Sequence, residues 1–257
     1  MVCSGGDGRF LNKNMHSKYD ITNFKEMYGM AREIETRCLH LEEEEGGSDN
    51  YGAISYPIYQ TATYAHPSVG KSTGYDYTRL QNPTREHLEK TVASLESGMD
   101  AFALSTGMAA ITLMMELFAP GDHLIVDSDL YGGSIRLFRN ISAKNGVSFS
   151  SIDCYRENVE TYIKENTKAV YIETPTNPMM NVTDIAELAK ITKKHNILLI
   201  VDNTFLSPYF QNPLLLGADI VVHSGSKYLG GHNDTLAGFL VTNREDISER
   251  LRFLIKT

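Results

Sequence analysis

From residue 83 to the end of the chain, short apolar runs alternate with longer stretches of mixed polarity. The runs lie at 101–104, 123–126, 147–152, 169–172, 197–201, 220–222 and 239–241. The run at 197–201, Ile-Leu-Leu-Ile-Val, is apolar at every position, the pattern of a strand covered on both faces. Between the runs the spacing predicts helices at 107–118, 131–144, 156–165, 183–195 and 212–217. Another is predicted at 83–97, opened by Pro83, whose missing N–H costs nothing in a first turn. Strands alternating with helices predict βαβ units. The expected fold is α/β: one domain over 83–257 with a mostly parallel seven-stranded sheet flanked by helices.

The chain ahead of Pro83 is less regular. Residues 24–40 can form a helix. Residues 42–50, four glutamates followed by Gly-Gly-Ser-Asp-Asn, read as a solvated loop. Residues 1–50 are thus expected to be a tail and helical arm, and 51–82, rich in Tyr, Thr, Ser and Pro, an irregular arm.

Composition narrows the function classes. With 257 residues, 42% hydrophobic and 22% charged, the chain is not of a disordered type. Lys plus Arg is 24 against 32 Asp plus Glu, a net charge of -8, which argues against a nucleic-acid partner. Cys3, Cys38 and Cys154 are far apart with no C-x-x-C, which argues against a disulfide framework or a zinc ribbon. No apolar run approaches the roughly 18 residues of a membrane helix. The first residues lack the basic start and apolar core of a signal peptide. The expectation is a soluble, cytoplasmic protein with no membrane partner.

In open α/β sheets ligands sit beyond the carboxyl ends of the strands. Four predicted ends carry chemistry. Asp202-Asn203-Thr204 follows 197–201, and His223-Ser224-Gly225-Ser226-Lys227 follows 220–222. Glu173-Thr174-Pro175-Thr176-Asn177-Pro178 follows 169–172, and Ser105-Thr106-Gly107-Met108 follows 101–104 at a helix start. Singly, each has an ordinary reading: a turn aspartate, a solvated lysine, a helix N-cap. Together they supply what pyridoxal phosphate requires. Lys227 can form a Schiff base with its aldehyde. Asp202 can hold its pyridine nitrogen protonated, because a nearby anion favours the cation. Gly107 and Met108 offer N–H groups at a helix N-terminus to its phosphate, and Ser224 and Ser226 can add hydroxyls.

These segments, with Tyr77-Thr-Arg-Leu-Gln-Asn-Pro-Thr84 ahead of them and Tyr228-Leu-Gly-Gly-His232 behind, resemble the Cys/Met-metabolism family of pyridoxal-phosphate enzymes, of the large-domain fold called type I. That family includes cystathionine γ-synthase, cystathionine γ- and β-lyases and methionine γ-lyase. The resemblance covers about residues 50–257. It implies that Lys227 is the lysine that carries the cofactor and later moves protons, and that Asp202 is the pyridinium partner. It makes Tyr131 the tyrosine stacked on the ring and Asn177 the residue near its phenolic oxygen. Thr106, Gly107, Met108, Ser224 and Ser226 become the phosphate cup. Tyr77 and Arg79 become the pair that reaches the phosphate of a neighbouring subunit, so the resemblance also implies a homodimer or homotetramer.

The chain departs from the family pattern at Thr106 and Ser226, where the family usually has Ser and Thr; both keep the hydroxyl. Family members also carry a C-terminal substrate domain holding an arginine for the substrate carboxylate. The chain is expected to lack that domain, and no residue takes that arginine's role. The resemblance implies β/γ-elimination or γ-replacement on small amino-acid substrates, sulfur amino acids or O-acylhomoserine, in the manner of cystathionine γ-synthase or γ-lyase. A second reading keeps a catalytically idle domain that binds cofactor or partner subunits. A nucleotide-binding Rossmann reading lacks G-x-G-x-x-G after the first strand.

Overall fold

A computed structural model describes residues 33–41 and 53–257. Helix α1 spans Ile34–Leu39, α2 Pro83–Glu96, α3 Gly107–Met115, α4 Gly132–Leu137, α5 Ile185–Lys194, α6 Ser207–Phe210 and α7 Glu245–Leu254. The strands are β1 Asp100–Leu104, β2 His123–Asp127, β3 Ser148–Ile152, β4 Thr167–Glu173, β5 Leu198–Asp202, β6 Ile220–Ser224 and β7 Gly238–Thr242. They form one sheet in the order β1-β7-β6-β5-β4-β2-β3. The β6-β5-β4-β2-β3 pairs are parallel, while β7 runs antiparallel to both β1 and β6. The seven predicted strands and the mostly parallel sheet are therefore observed.

Alternate strand residues separate into two buried layers. Phe102, Leu124, Tyr171, Ile200, Val222 and Leu240 pack with Ala110, Ile111 and Met114 of α3 and with Leu251 of α7. On the opposite face Val170, Ile172, Leu199 and Val201 pack with Ile185 and Leu188 of α5. Val221, Phe239 and Val241 continue that face under Val92 and Ala93 of α2. Covered on both sides, β2, β5 and β6 read as unbroken apolar runs.

Local chemistry sets the helix starts. Asn82 caps α2, its side-chain oxygen accepting from Thr84 N at 2.9 Å, with Pro83 in the first turn. Thr106 caps α3 through Ala109 N at 3.0 Å. Asp184 caps α5 through Glu187 N at 3.0 Å.

Three predicted helices differ. Residues 156–165 hold only a 3-10 turn, Val159–Tyr162, after Asn158 caps Glu160 N. Residues 212–217 form successive turns closed by Gly217 at φ 104 rather than a helix. The helix expected over 131–144 changes to a π-helical turn at Phe138–Ser142. The short α6 was not foreseen. Most of the helix expected over 24–40, and the loop 42–50, lie outside the described residues. In the arm, the bridges Thr63↔Tyr77 and Ser68↔Lys71 are isolated, as expected of an irregular segment. No described helix is long and apolar enough to cross a membrane.

Candidate active site

The parallel strands deliver Glu173, Asp202 and Ser224 to the same end of the sheet, and β1 leads there into the Thr106–Gly107 turn. Register puts Glu173 of β4 opposite Asp202 of β5. Asp202 is buried. Its Oδ1 accepts from Thr204 N at 3.0 Å and from Thr204 Oγ1 at 2.5 Å. Its Oδ2 accepts from the fully buried Tyr171 hydroxyl at 3.3 Å. Burial raises the Asp202 carboxyl above its ordinary value, opposed by the Thr204 bonds and by the charge of His223. Burial and the Asp202 charge beside it push Glu173 up to about 8.

Thr204 also joins β5 to β6, because its Oγ1 accepts from Ser224 N at 2.9 Å. Ser224 then lies against the start of α3: a Cβ added at Gly107 would come 2.9 Å from Ser224 Cβ and 3.2 Å from its Oγ. Only glycine lets the hydroxyl approach this helix N-terminus. Gly107 N and Met108 N find no acceptor among the described residues, which leaves two donors at the positive end of α3. Gly238, the first residue of β7, sits beneath the turn and pairs with Leu104 and Ser224 at once. Ser226 is tied to Ala237 N at 3.1 Å. The exposed Lys227 follows in a turn closed by Lys227 N on Ser224 O at 3.2 Å, and its ammonium meets no carboxylate among the described residues.

Two loops complete this end of the sheet, and two carboxylates tie them together. Glu173 Oε2 accepts from Tyr131 N at 2.8 Å. Asp129 Oδ2 accepts from the Thr176 hydroxyl and from Met179 N at 3.1 Å. The loop bearing Tyr131 is thereby held to the turn bearing the exposed Asn177. Gly133 lets the Tyr131 ring and Met108 come together, since a Cβ there would fall 2.4 Å from Tyr131 Cε1 and 2.8 Å from Met108 Sδ. Thus Thr106, Gly107, Met108, Tyr131, Asn177, Asp202, Ser224, Ser226 and Lys227 lie on connected segments at one end of the sheet.

Tyr77 and Arg79 are not brought into that cluster. They stand in the exposed arm, where the Arg79 guanidinium lies 5.6 Å from the Tyr77 ring centroid and donates to Lys256 O. Sequence reasoning gave no role to Tyr171, Thr204 or Asp129, nor to the Glu96–His223 pair. Thr204 and His223 stood in the motif segments; Thr204's partner Ser224 lies 20 positions away and His223's partner Glu96 127.

Known proteins match this arrangement. Cystathionine γ-lyase of Bacillus subtilis (strain 168) is 51% identical over 209 residues, 81% of this chain and 55% of the relative. Cystathionine γ-synthase of Haemophilus influenzae is 49% identical over 228 residues, covering 88% of this chain and 62% of the relative. The crystal structure of metB from Corynebacterium glutamicum superposes with a TM-score of 0.84 at 42% identity, over 88% of this chain and 59% of that one. The chain thus spans little more than half the length of these relatives. The model of the Cys/Met metabolism PLP-dependent enzymes matches residues 35–257, nearly all of the described residues, and the chain belongs to that family.

Proposed function

We propose that this chain supplies the cofactor domain of a pyridoxal-phosphate-dependent transsulfuration enzyme of the cystathionine γ-synthase or γ-lyase kind. Its substrates are a sulfur amino acid or an O-acylhomoserine, and its reaction is β/γ-elimination or γ-replacement. The carrying observation is the link from buried Asp202 through Thr204 to Ser224, against the open N-terminus of α3 and one short turn from Lys227. The relatives named above support the substrate class.

The residues fit the cofactor. The two free N–H groups of Gly107 and Met108, with the Ser224 hydroxyl brought against them, suit a phosphate. A buried carboxylate with three donors around it suits a cationic ring nitrogen. When bound, pyridoxal phosphate supplies an electron sink for charge developing at the substrate's α-carbon. Gly107, Met108, Ser224 and Ser226 bind the phosphate. Asp202 holds the proton on the ring nitrogen, with Tyr171 and Thr204 fixing its orientation. Lys227 Nζ would hold the cofactor through its aldehyde carbon and, as an amine, could move a proton at the substrate's α-carbon. Tyr131 and Asn177, on the two tied loops, would contact the cofactor ring and its phenolic oxygen. Residues 83–257 form the cofactor domain. Tyr77 and Arg79, in the arm 51–82, serve the phosphate of a second copy in a homodimer or homotetramer.

The test is reconstitution of the full-length protein with pyridoxal phosphate. It is followed by a panel of cystathionine, other sulfur amino acids and O-acylhomoserine with a thiol, scored for 2-oxo acid, ammonia and sulfide. A lysine-linked cofactor absorbance with turnover is expected. Absorbance without turnover on any substrate would favour the idle cofactor-binding domain instead. No cofactor absorbance would refute both.

A further inference from the structure

Glu96, the last residue of α2, and His223, next to last in β6, form a fully buried pair with Nε2 and Oε1 2.5 Å apart. The same Glu96 Oε1 accepts from Asn203 Nδ2 at 2.8 Å. The second hydrogen of that amide goes to Gln211 O at 2.9 Å. Gln211 Nε2 in turn donates to Asn203 Oδ1 at 2.9 Å and to Thr174 O at 3.0 Å. This chain of donors makes Glu96 Oε1 an acceptor, so His223 Nε2 carries a hydrogen and donates it.

The network touches three strand ends, each one residue from a site residue. Thr174 follows Glu173, Asn203 follows Asp202, and His223 precedes Ser224. It lies on the α2 face of the sheet. Asp202 and Tyr171 belong to the other face, because side chains alternate along a strand. Two of its atoms, Glu96 Oε2 and His223 Nδ1, are buried without a hydrogen-bond partner among the described residues. Burying unpaired polar atoms is costly, and a network kept only for packing would be replaced at little loss by apolar side chains. Around His223 stand Glu96 from α2, itself bonded to Asn203 of the β5 end, and Phe239 opposite it on β7.

We propose that Glu96 and His223, with Asn203 and Gln211, are positioning residues for the cofactor site: they lock in register the three strand ends that carry Glu173, Asp202 and Ser224. Loosening the network lets these ends shift against one another, and with them the Asp202 carboxylate that meets the ring nitrogen.

This inference rests on the cofactor reading above. The experiment uses the full-length protein loaded with pyridoxal phosphate labelled with 15N in the ring. His223→Asn shortens the donor and breaks the bond to Glu96; Glu96→Gln keeps the acceptor for Asn203 and weakens the bond to His223. Both variants are expected to move the ring-nitrogen resonance toward its unprotonated position, as Asp202 is displaced from it, and to weaken cofactor binding about tenfold, while kcat falls more than KM rises. If both variants only lower the melting temperature, with the ring-nitrogen resonance and cofactor affinity of wild type, the pair is merely structural and the proposal fails. If His223→Asn does not fold, Glu96→Gln alone decides by the same readings. If the wild-type protein takes up no cofactor, the underlying reading fails first, a result distinct from loss in the variants alone.

Discussion

Gly238→Ala tests how closely the site is built. A Cβ at 238 would stand 2.0 Å from Thr106 O, 2.4 Å from Thr106 C and 2.7 Å from Gly107 N. An ordinary C···O contact is about 3.3 Å, so the methyl is short of room by about 1.3 Å. The obstructing atoms are backbone and cannot rotate away. Nor can β7 slide, because Gly238 is paired with Leu104 on one side and Ser224 on the other. The turn at Thr106–Gly107 must therefore lift. Overpacking of this kind costs on the order of 3 kcal/mol, which for a domain of this size lowers the melting temperature by roughly 6–12 °C. The same movement displaces the free N–H groups of Gly107 and Met108. Losing one charge-assisted bond to a phosphate is worth about 1.5–3 kcal/mol, or roughly 10- to 100-fold in cofactor affinity. Thermal melts of the apoprotein and titration with pyridoxal phosphate followed by absorbance measure both effects. Gly132→Ala is the control: its Cβ would meet only the flexible Arg136 Nη1 at 3.4 Å, at the start of α4, and should leave both measurements unchanged or slightly improved. A Gly238→Ala protein that melts within a degree or two of wild type and binds cofactor equally well would refute the reasoning.

Four further outcomes are expected. Lys227→Ala should lose the lysine-linked cofactor absorbance and any borohydride-reducible adduct; an adduct found on another lysine would overturn the assignment. Asp202→Asn should still bind cofactor but lose on the order of 10²-fold or more in kcat, and unchanged turnover would exclude its role. Glu173 and Asp127, pushed up to about 8 and about 6 by burial, hold protons more tightly folded than unfolded. Their contribution is therefore full below the ordinary carboxylate range and is lost as pH rises toward 8. Glu173→Gln, which still accepts from Tyr131 N, should flatten the apoprotein's melting temperature between about pH 5 and 8, and an unchanged slope would contradict the burial argument. Full-length Arg79→Ala and Lys227→Ala chains, each inactive, should regain activity when dissociated and reassembled together. Mixed dimers verified by mass but still inactive would place Arg79 in its own subunit's site or outside any site.

The strands were legible because both faces of the sheet are covered: runs such as 197–201 carry no polar residue until Asp202, where the strand ends and the site begins. The helix starts after Asn82 and Thr106 were legible from Pro83 in a first turn and from the Ser105-Thr106-Gly107 cap; the start at Ile185, capped by Asp184, came two residues later than expected. Residues 156–165 misled because their mixed polarity suits a helix, while Asn158 and the Asp153 turn tie the backbone locally instead. Within the site, chemistry carried by one residue type could be read from its strand end, as with Asp202 and Lys227. What supports those residues could not. Tyr171, Asp129 and Glu96 act through partners 31, 47 and 127 positions away, and Thr204 reaches Ser224, 20 positions on; those contacts exist only once the strands are ordered.

Strand order also explains why a glycine opens β7. The sequence places β1 first and β6 nearly last, yet Ser224 at the end of β6 lies against the Gly107 turn that follows β1. They are separated in the sheet by β7, which runs against both. Where β1 and β6 present their carboxyl ends, and so the loops that carry Thr106, Ser224 and Lys227, β7 presents its first residue. A side chain at that position would stand between the two loops. Gly238 lets Thr106 and Gly107 settle onto β7, and Gly107 lets Ser224 close over the turn. The two glycines, one opening α3 and one opening β7, lie far apart in sequence but answer one requirement, that the turn after β1, the end of β6 and the start of β7 approach within contact distance.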